Sequence, residues 1–261
     1  MNKIRIVFTD IDGTSFINET QTCPESTLLA FNKLREENIK IFICTSRSYR
    51  ETMQLPKEYL DLVDGIICST GSMIFYNNKL IKQYDLKQED VLEMINIFND
   101  NDITYRYITS NNECYLNKKS KEAEDSFKYL YNFVPDIKEY QNEQLSNLLC
   151  FTYDNKTIKS ELENKLKHSD ILDLIKVLEI TDKGVSKGSG ILDVCNYLNI
   201  DINDTVGFGD SLNDIDMFKV VKCSVAMGNG HELLKKQATY ITDHINDDGF
   251  YNICIKKGWI K

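Results

Sequence analysis

The sequence predicts an α/β protein: a doubly wound parallel sheet with a smaller α+β domain inserted into it. Three observations carry that expectation. Short β-branched runs alternate with helical periodicity at both ends of the chain, the middle third changes texture, and clusters of Asp, Gly, Ser and Thr follow the apolar runs. Strand–helix alternation favours a parallel sheet, because each crossover helix lies on a face of the sheet and covers it.

Residues 4–9 (IRIVFT) end at Asp-Gly and read as a buried strand followed by a turn. Residues 24–37 read as a helix: Pro24 suits a first turn, and Leu28, Leu29, Phe31 and Leu34 share one side. Residues 39–45 (IKIFICT) and 65–69 (GIICS) are the next expected strands. The rhythm resumes with a helix at 191–198, a strand at 205–209 (TVGFG), a helix at 214–218, and short strands at 224–227 and 239–242. Between 83 and 182 the chain is rich in Asn, Lys, Glu and Tyr, with strands expected at 104–109 (TYRYIT) and 148–153 (LLCFTY). Alternation in TYRYIT predicts a sheet with one wet face. The expected organisation is a Rossmann-like core from 1–82 and 183–261, with the α+β insert at 83–182.

The chain of 261 residues is 42% hydrophobic and 27% charged, which suffices for a core and argues against disorder. At about 150 residues per domain it allows one large domain or two modest ones. Lys+Arg 31 against Asp+Glu 40 gives a net charge of −9, which disfavours nucleic acid and anionic lipid as partners. A phosphorylated ligand must then be met by local cations or a metal ion. The 8 cysteines form no CxxC pair, and Cys44 and Cys68 lie in apolar runs, so neither a disulfide framework nor a zinc site is expected. No run approaches the ~18 apolar residues of a membrane span, and the apolar stretch near the N-terminus is too short for a signal peptide. The expectation is a soluble cytoplasmic protein, monomeric or a weak homodimer.

Four clusters carry the candidate chemistry. Asp10-Ile11-Asp12-Gly13-Thr14 follows the first strand, where ligands of open parallel sheets bind. Side chains two apart on an extended chain face the same way, so Asp10 and Asp12 can converge on one ligand. A solvated Asp-Gly turn is the alternative. Thr45-Ser46-Arg47 ends the second strand; hydroxyls and N–H groups opening a helix there suit a phosphate oxygen, or form an ordinary N-cap. Lys187 follows Ser186, a candidate cap, and a cation in the first turn opposes the helix dipole. It reads as the partner of an anion, or as a solvated lysine. Gly207 to Asp214 (GFGDSLND) places Asp210 at a strand end, where it can join Asp10 and Asp12 in an all-oxygen site suited to Mg²⁺. Ser211 and Asp214 also have capping-box spacing. Gly228-Asn229-Gly230 lacks the third Gly of a dinucleotide loop, and the three histidines form no metal motif.

With these clusters in this order, the chain resembles the haloacid dehalogenase superfamily of phosphatases through FTDIDGT, CTSR, GVSKG and GFGDSLNDIDM. The insert resembles, in position and length, the cap of the Cof-type sugar phosphatases (class IIB). VAMGNG and ATYITDHINDDGF resemble that subfamily's tail. Two departures stand out: the family's TGR is Thr45-Ser46-Arg47 here, and its Asn-Gly after the third strand is Thr70-Gly71.

The resemblance implies a Mg²⁺-dependent phosphatase acting on small phosphorylated metabolites such as sugar phosphates. Asp10 would be the nucleophile that becomes an aspartyl phosphate, and Asp12 the general acid and base. Mg²⁺ would be held by Asp10, the backbone carbonyl of Asp12, and Asp210. Lys187 would offset charge and Thr45 would bind an equatorial oxygen, with Ser46 beside it. Asn213 and Asp214 would orient Lys187 and metal-bound water, and Arg47 would link core, cap and substrate. The cap would close as a lid, hinged near 83 and at Asp182-Lys183-Gly184. A phosphomutase on the same core and a non-enzymatic phosphometabolite-binding module are the alternatives.

Overall fold

Two sheets divide the chain. The computed structural model describes residues 4–152, 155–174 and 177–261. Strands β1 (Ile6–Thr9), β2 (Lys40–Cys44), β3 (Gly65–Cys68), β4 (Met73–Tyr76) and β5 (Lys79–Gln83) come first. They are followed by β6 (Thr104–Thr109), β7 (Cys114–Leu116), β8 (Asp136–Ile137), β9 (Leu145–Phe151), β10 (Ser169–Asp173) and β11 (Val177–Asp182). Then come β12 (Thr205–Gly209), β13 (Cys223–Ala226) and β14 (Tyr240–Ile241). The larger sheet runs β14-β13-β12-β1-β2-β3-β4-β5, and the smaller runs β10-β11-β9-β6-β7-β8.

In the larger sheet β1 pairs in parallel with β2 on one side and β12 on the other. Sequence order runs outward in opposite directions from this point, leaving a crevice beyond the carboxyl ends of β1 and β12. The alternation of side chains along β1 explains the layers. Val7 joins one apolar cluster with Phe31, Ile41, Phe208 and Phe250; Ile6 and Phe8 join the opposite one with Phe42, Ile191 and Met217. Helices α1 (Glu25–Glu36), α2 (Tyr49–Thr52), α3 (Lys57–Leu60), α4 (Gln88–Asp100), α5 (Lys121–Tyr131), α6 (Asn155–Lys165), α7 (Lys187–Leu198), α8 (Ile215–Val220), α9 (Glu232–Lys235) and α10 (Gly249–Lys256) complete the frame.

Element boundaries differ from expectation by a few residues. The helix expected at 214–218 is α8, preceded by a 3₁₀ turn at Leu212–Asp214. The helix expected from 191 begins at Lys187. The strand expected at 148–153 starts at Leu145, and Tyr153 lies outside the described residues.

The wet face expected of the smaller sheet is dry. All six residues of β6 are buried. Tyr105 and Tyr107 pack with Val91, Met94 and Phe98 of α4 and with Leu162 of α6. The opposite face lies on the larger domain, where Ile108 and Cys114 join the first core cluster. There Arg106 Nη1 donates to Glu51 Oε2 at 3.0 Å and Nη2 donates to Asn147 Oδ1 at 2.6 Å, all fully buried. Alternation signals two unlike faces; here the polar face meets a second domain instead of water.

The chain crosses between the sheets after β5 and again after β11. Gly184 has φ +78° and open space around it. All eight cysteines are free thiols. Among the described residues no helix is long and apolar enough to cross a membrane.

Candidate active site

Asp10 continues the ladder one residue past β1, its N–H donating to the Phe208 carbonyl at 2.9 Å. There the extended chain ends: the N–H groups of Thr14, Ser15 and Phe16 all converge on the Ile11 carbonyl. Asp12 lies past the end of the strand and lines the same cleft as Asp10, but its carboxylate stands outside the cluster that gathers around Asp10. Gly13 makes the turn possible. It has φ +74°, and a Cβ there would stand 2.5 Å from Asp210 Oδ2.

The carboxylates that converge are Asp10, Asp210 and Asp214, whose oxygens lie within 4.8 Å of one another. Parallel pairing of β1 with β12 brings the first two together across two hundred residues of sequence. Lys187 Nζ stands 3.1 Å from Asp10 Oδ1 and donates to Asp214 Oδ1 at 2.7 Å. Ser186 caps the helix that carries it, accepting from the Ser189 N–H at 3.2 Å. Asp214 Oδ2 accepts from the N–H groups of Asp210 and Ser211, so this side chain both fastens the loop and holds the lysine. Thr14 Oγ1 donates to Asp210 Oδ1 at 2.9 Å.

The electrostatics are crowded. Burial lifts the Asp10 carboxyl from 3.8 to about 7; Lys187 pulls it down, and Asp214 and Asp12 push it back up. Asp210 is raised well above the usual carboxylate range by burial and by Asp214 and Asp10. Burial would lower Lys187, but Asp10 and Asp214 outweigh it and raise the ammonium above its ordinary value. Three carboxylates share one lysine, so the cluster is short of positive charge. An oxygen-only donor set of this kind fits a hard divalent cation such as Mg²⁺.

Asp12 is held elsewhere. Arg47 grips its carboxylate with Nε and Nη2, and Asn18 Nδ2 donates to Oδ1 at 2.6 Å. The side chain of Asp12 is thus no member of the carboxylate cluster; only its backbone carbonyl remains as the metal ligand the resemblance implies. Arg47 is 1% exposed and also donates to the Leu130 carbonyl at 2.9 Å, over the Tyr131 ring at 4.7 Å. Its link between core and insert is present: Nε and Nη2 bond Asp12 of the core and Leu130 of the insert.

Thr45-Ser46-Arg47 does not open a helix. Ser48 caps α2, with Glu51 closing the capping box, and the three residues between β2 and this cap form a bend. Thr45 Oγ1 accepts from the Arg47 N–H at 3.1 Å. Ser46 Oγ accepts from Thr70 Oγ1 and from Asn213 Nδ2, each at 2.9 Å. The two positions where this chain departs from the family pattern, 46 and 70, are therefore bonded to each other.

A cleft of about 570 Å³ opens between the sheets, lined by Asp10, Asp12, Thr45, Ser46, Asp210 and Asn213 from below. Phe127, Leu130, Leu149 and Phe151 of the insert roof it. Four polar residues of this neighbourhood escape sequence reasoning: Asn18, Glu51, Arg106 and Asn229. Asn229 donates to the Gly13 carbonyl at 2.7 Å and accepts from the Ile245 N–H, tying the tail to the turn after Asp10. The tail resemblance, VAMGNG, is the one signal that points to it.

A model of the haloacid dehalogenase-like hydrolases matches residues 7–253. A putative phosphatase of Mycoplasma pneumoniae is 28% identical, with 95% of this chain and 96% of that protein aligned. A 5-amino-6-(5-phospho-D-ribitylamino)uracil phosphatase of Bacillus subtilis is 25% identical, covering 94% and 92%. A putative bifunctional phosphatase/peptidyl-prolyl cis-trans isomerase of Streptococcus pyogenes is 27% identical, but the chain spans only 52% of it. Among solved structures, a subclass IIB sugar phosphatase superposes with TM-score 0.89 at 25% identity, covering 98% of this chain and all of that one.

Proposed function

Given that the chain belongs to the haloacid dehalogenase-like hydrolases and is a phosphatase, we propose that it hydrolyses small phosphorylated metabolites, sugar phosphates among them, through an aspartyl-phosphate intermediate. The observation that carries this reading is Asp10 on the cleft floor, 3.1 Å from a fully buried Lys187.

Asp10 supplies the attacking carboxylate oxygen, so a P–O bond to Asp10 forms as the ester P–O bond breaks. Asp12 gives a proton to the departing alkoxide. It then takes one from water, whose oxygen attacks phosphorus and frees Asp10. Lys187 offsets the charge of Asp10 and of the phosphoryl group, and Asp214 holds the ammonium in place. Thr45 binds a phosphoryl oxygen, and Asn213 lines the same cleft. Mg²⁺, held by Asp10, the Asp12 carbonyl and Asp210, with Asp214 behind them, would supply positive charge against the repulsion between carboxylate and phosphate. The insert roofs the cleft, and excluding bulk water there protects the acyl phosphate until the alcohol has left. On this reading the insert at 83–182 is a lid, and Gly184 absorbs its rotation.

The test is phosphate release with Mg²⁺ across a panel of phosphorylated metabolites. Release from monophosphate esters, lost in Asp10→Asn, is expected. A panel with no release, or with conversion only to isomeric phosphates, overturns hydrolysis.

A further inference from the structure

Ser46 lies half-buried in the cleft between Thr45 and Asn213. Its Oγ receives hydrogen bonds from two sides, Thr70 Oγ1 and Asn213 Nδ2, each at 2.9 Å. A serine hydroxyl has two acceptor lone pairs and one O–H. With both lone pairs engaged, the proton points away from both donors, and no described residue accepts it. A hydroxyl that accepts two hydrogen bonds is polarised by them and donates more strongly.

The two donors are themselves fixed. Ser211 Oγ donates to Asn213 Oδ1 at 2.5 Å, which turns the amide NH₂ toward Ser46. Thr70 sits in the left-handed region at φ 54°, ψ 36°, directly after Ser69 at φ 51°. For a β-branched residue this is an unfavourable backbone that persists only where neighbours impose it. Here the Thr70 N–H donates to the Thr45 carbonyl at 3.0 Å and the Ser69 N–H to the Arg47 carbonyl at 2.8 Å. Gly71 follows at φ 101°, where a Cβ would lie 2.2 Å from the Ser186 carbonyl oxygen. The strained turn is thus clamped between the loop that carries Ser46 and the residue before Lys187, and its outcome is a threonine hydroxyl aimed at Ser46.

We propose that the Ser46 hydroxyl is a further catalytic donor, hydrogen-bonding a non-bridging oxygen of the phosphoryl group in transfer, with Thr70 and Asn213 as the residues that aim it. No proton or covalent bond changes hands; the donor acts on charge gathering at those oxygens. This rests on the phosphatase reading above.

The test compares Ser46→Ala, Ser46→Thr and Thr70→Val with wild type in Mg²⁺, reading kcat, KM and inhibition by orthovanadate, a mimic of the transferring phosphoryl group. Ser46→Ala should lower kcat by about 30-fold or more, within reach of the effect of losing one oxyanion donor. KM should move far less, and vanadate Ki should rise in step with the fall in kcat. Ser46→Thr, which keeps the hydroxyl, should recover most of the loss. Thr70→Val should lower kcat in the Ser46 background and add nothing to Ser46→Ala, since the two act as one unit. If Ser46→Ala fails to fold, Ser46→Gly makes the same comparison. Ser46→Ala within twofold of wild type in both kcat and vanadate Ki overturns the proposal while leaving the phosphatase intact; full additivity with Thr70→Val overturns the aiming. Wild-type protein that releases no more phosphate than Asp10→Asn instead sinks the underlying reading.

Discussion

Arg47 binds Asp12 as a fork, Nε to Oδ2 at 3.0 Å and Nη2 to Oδ1 at 2.5 Å, and the same Nη2 reaches the Leu130 carbonyl of the insert. Asn18 repeats the arrangement, its Nδ2 donating to Asp12 Oδ1 and to the Leu130 carbonyl at 2.9 Å. One carbonyl of the insert therefore holds both donors that fix Asp12.

Replacing Arg47 should accordingly damage the acid–base steps. Arg47→Ala is expected to lower kcat by at least about tenfold, a modest share of what a positioned acid–base contributes. Arg47→Lys should recover little, because an ammonium cannot span two carboxylate oxygens. Steady-state kinetics decide it: an Arg47→Lys enzyme at wild-type kcat refutes the fork.

Asp10→Asn removes the attacking oxygen. Turnover should fall by a thousandfold or more, on the order of other losses of a catalytic nucleophile, while the melting temperature stays close to wild type. Lys187 keeps Asp214 as its partner at 2.7 Å, so no uncompensated buried charge remains. Turnover within tenfold of wild type would remove Asp10 from its role.

The pH dependence of stability follows from Asp10. Its folded-state value of about 7 lies above the ordinary 3.8. Between those values the folded protein holds a proton that the unfolded chain has lost, so stability falls as pH rises from 4 towards 7 and levels off above. In metal-free protein, wild type should lose stability relative to Asp10→Asn across that range, as read by urea unfolding; parallel curves contradict it. Mg²⁺ should raise the wild-type melting temperature most above pH 7, where Asp10 is ionised, and much less in Asp210→Asn. Chelation should abolish phosphate release.

The seam between insert and core rests on a buried ion pair. Arg106 and Glu51 are fully buried at 3.0 Å, and Glu51 Oε2 also accepts from the Ser48 N–H at 2.6 Å. Truncating one member strands the other charge, which typically costs about 3–5 kcal/mol. Arg106→Ala should lose stability of that order in urea unfolding, and a change below about 1 kcal/mol, the range of exposed pairs, would contradict the buried-pair reading.

What the sequence determines by itself is local. The β-branched run before Asp10 and the TVGFG run before Asp210 are strands because short apolar stretches with turn residues at their ends have few other stable forms, and both end where a parallel sheet opens to ligand. Asp10, Lys187, Asp210 and Asp214 could therefore be singled out before any contact was known, and the resemblance to a known family gave them roles. Tertiary structure alone decided which of them meet. It bonded Asp12 to Arg47 and Ser46 to Thr70. It also gave the polar face of β6 to Glu51 instead of water. These pairings join side chains far apart in sequence, and long-range contact leaves no periodic trace, since periodicity records only that a face is covered and never what covers it.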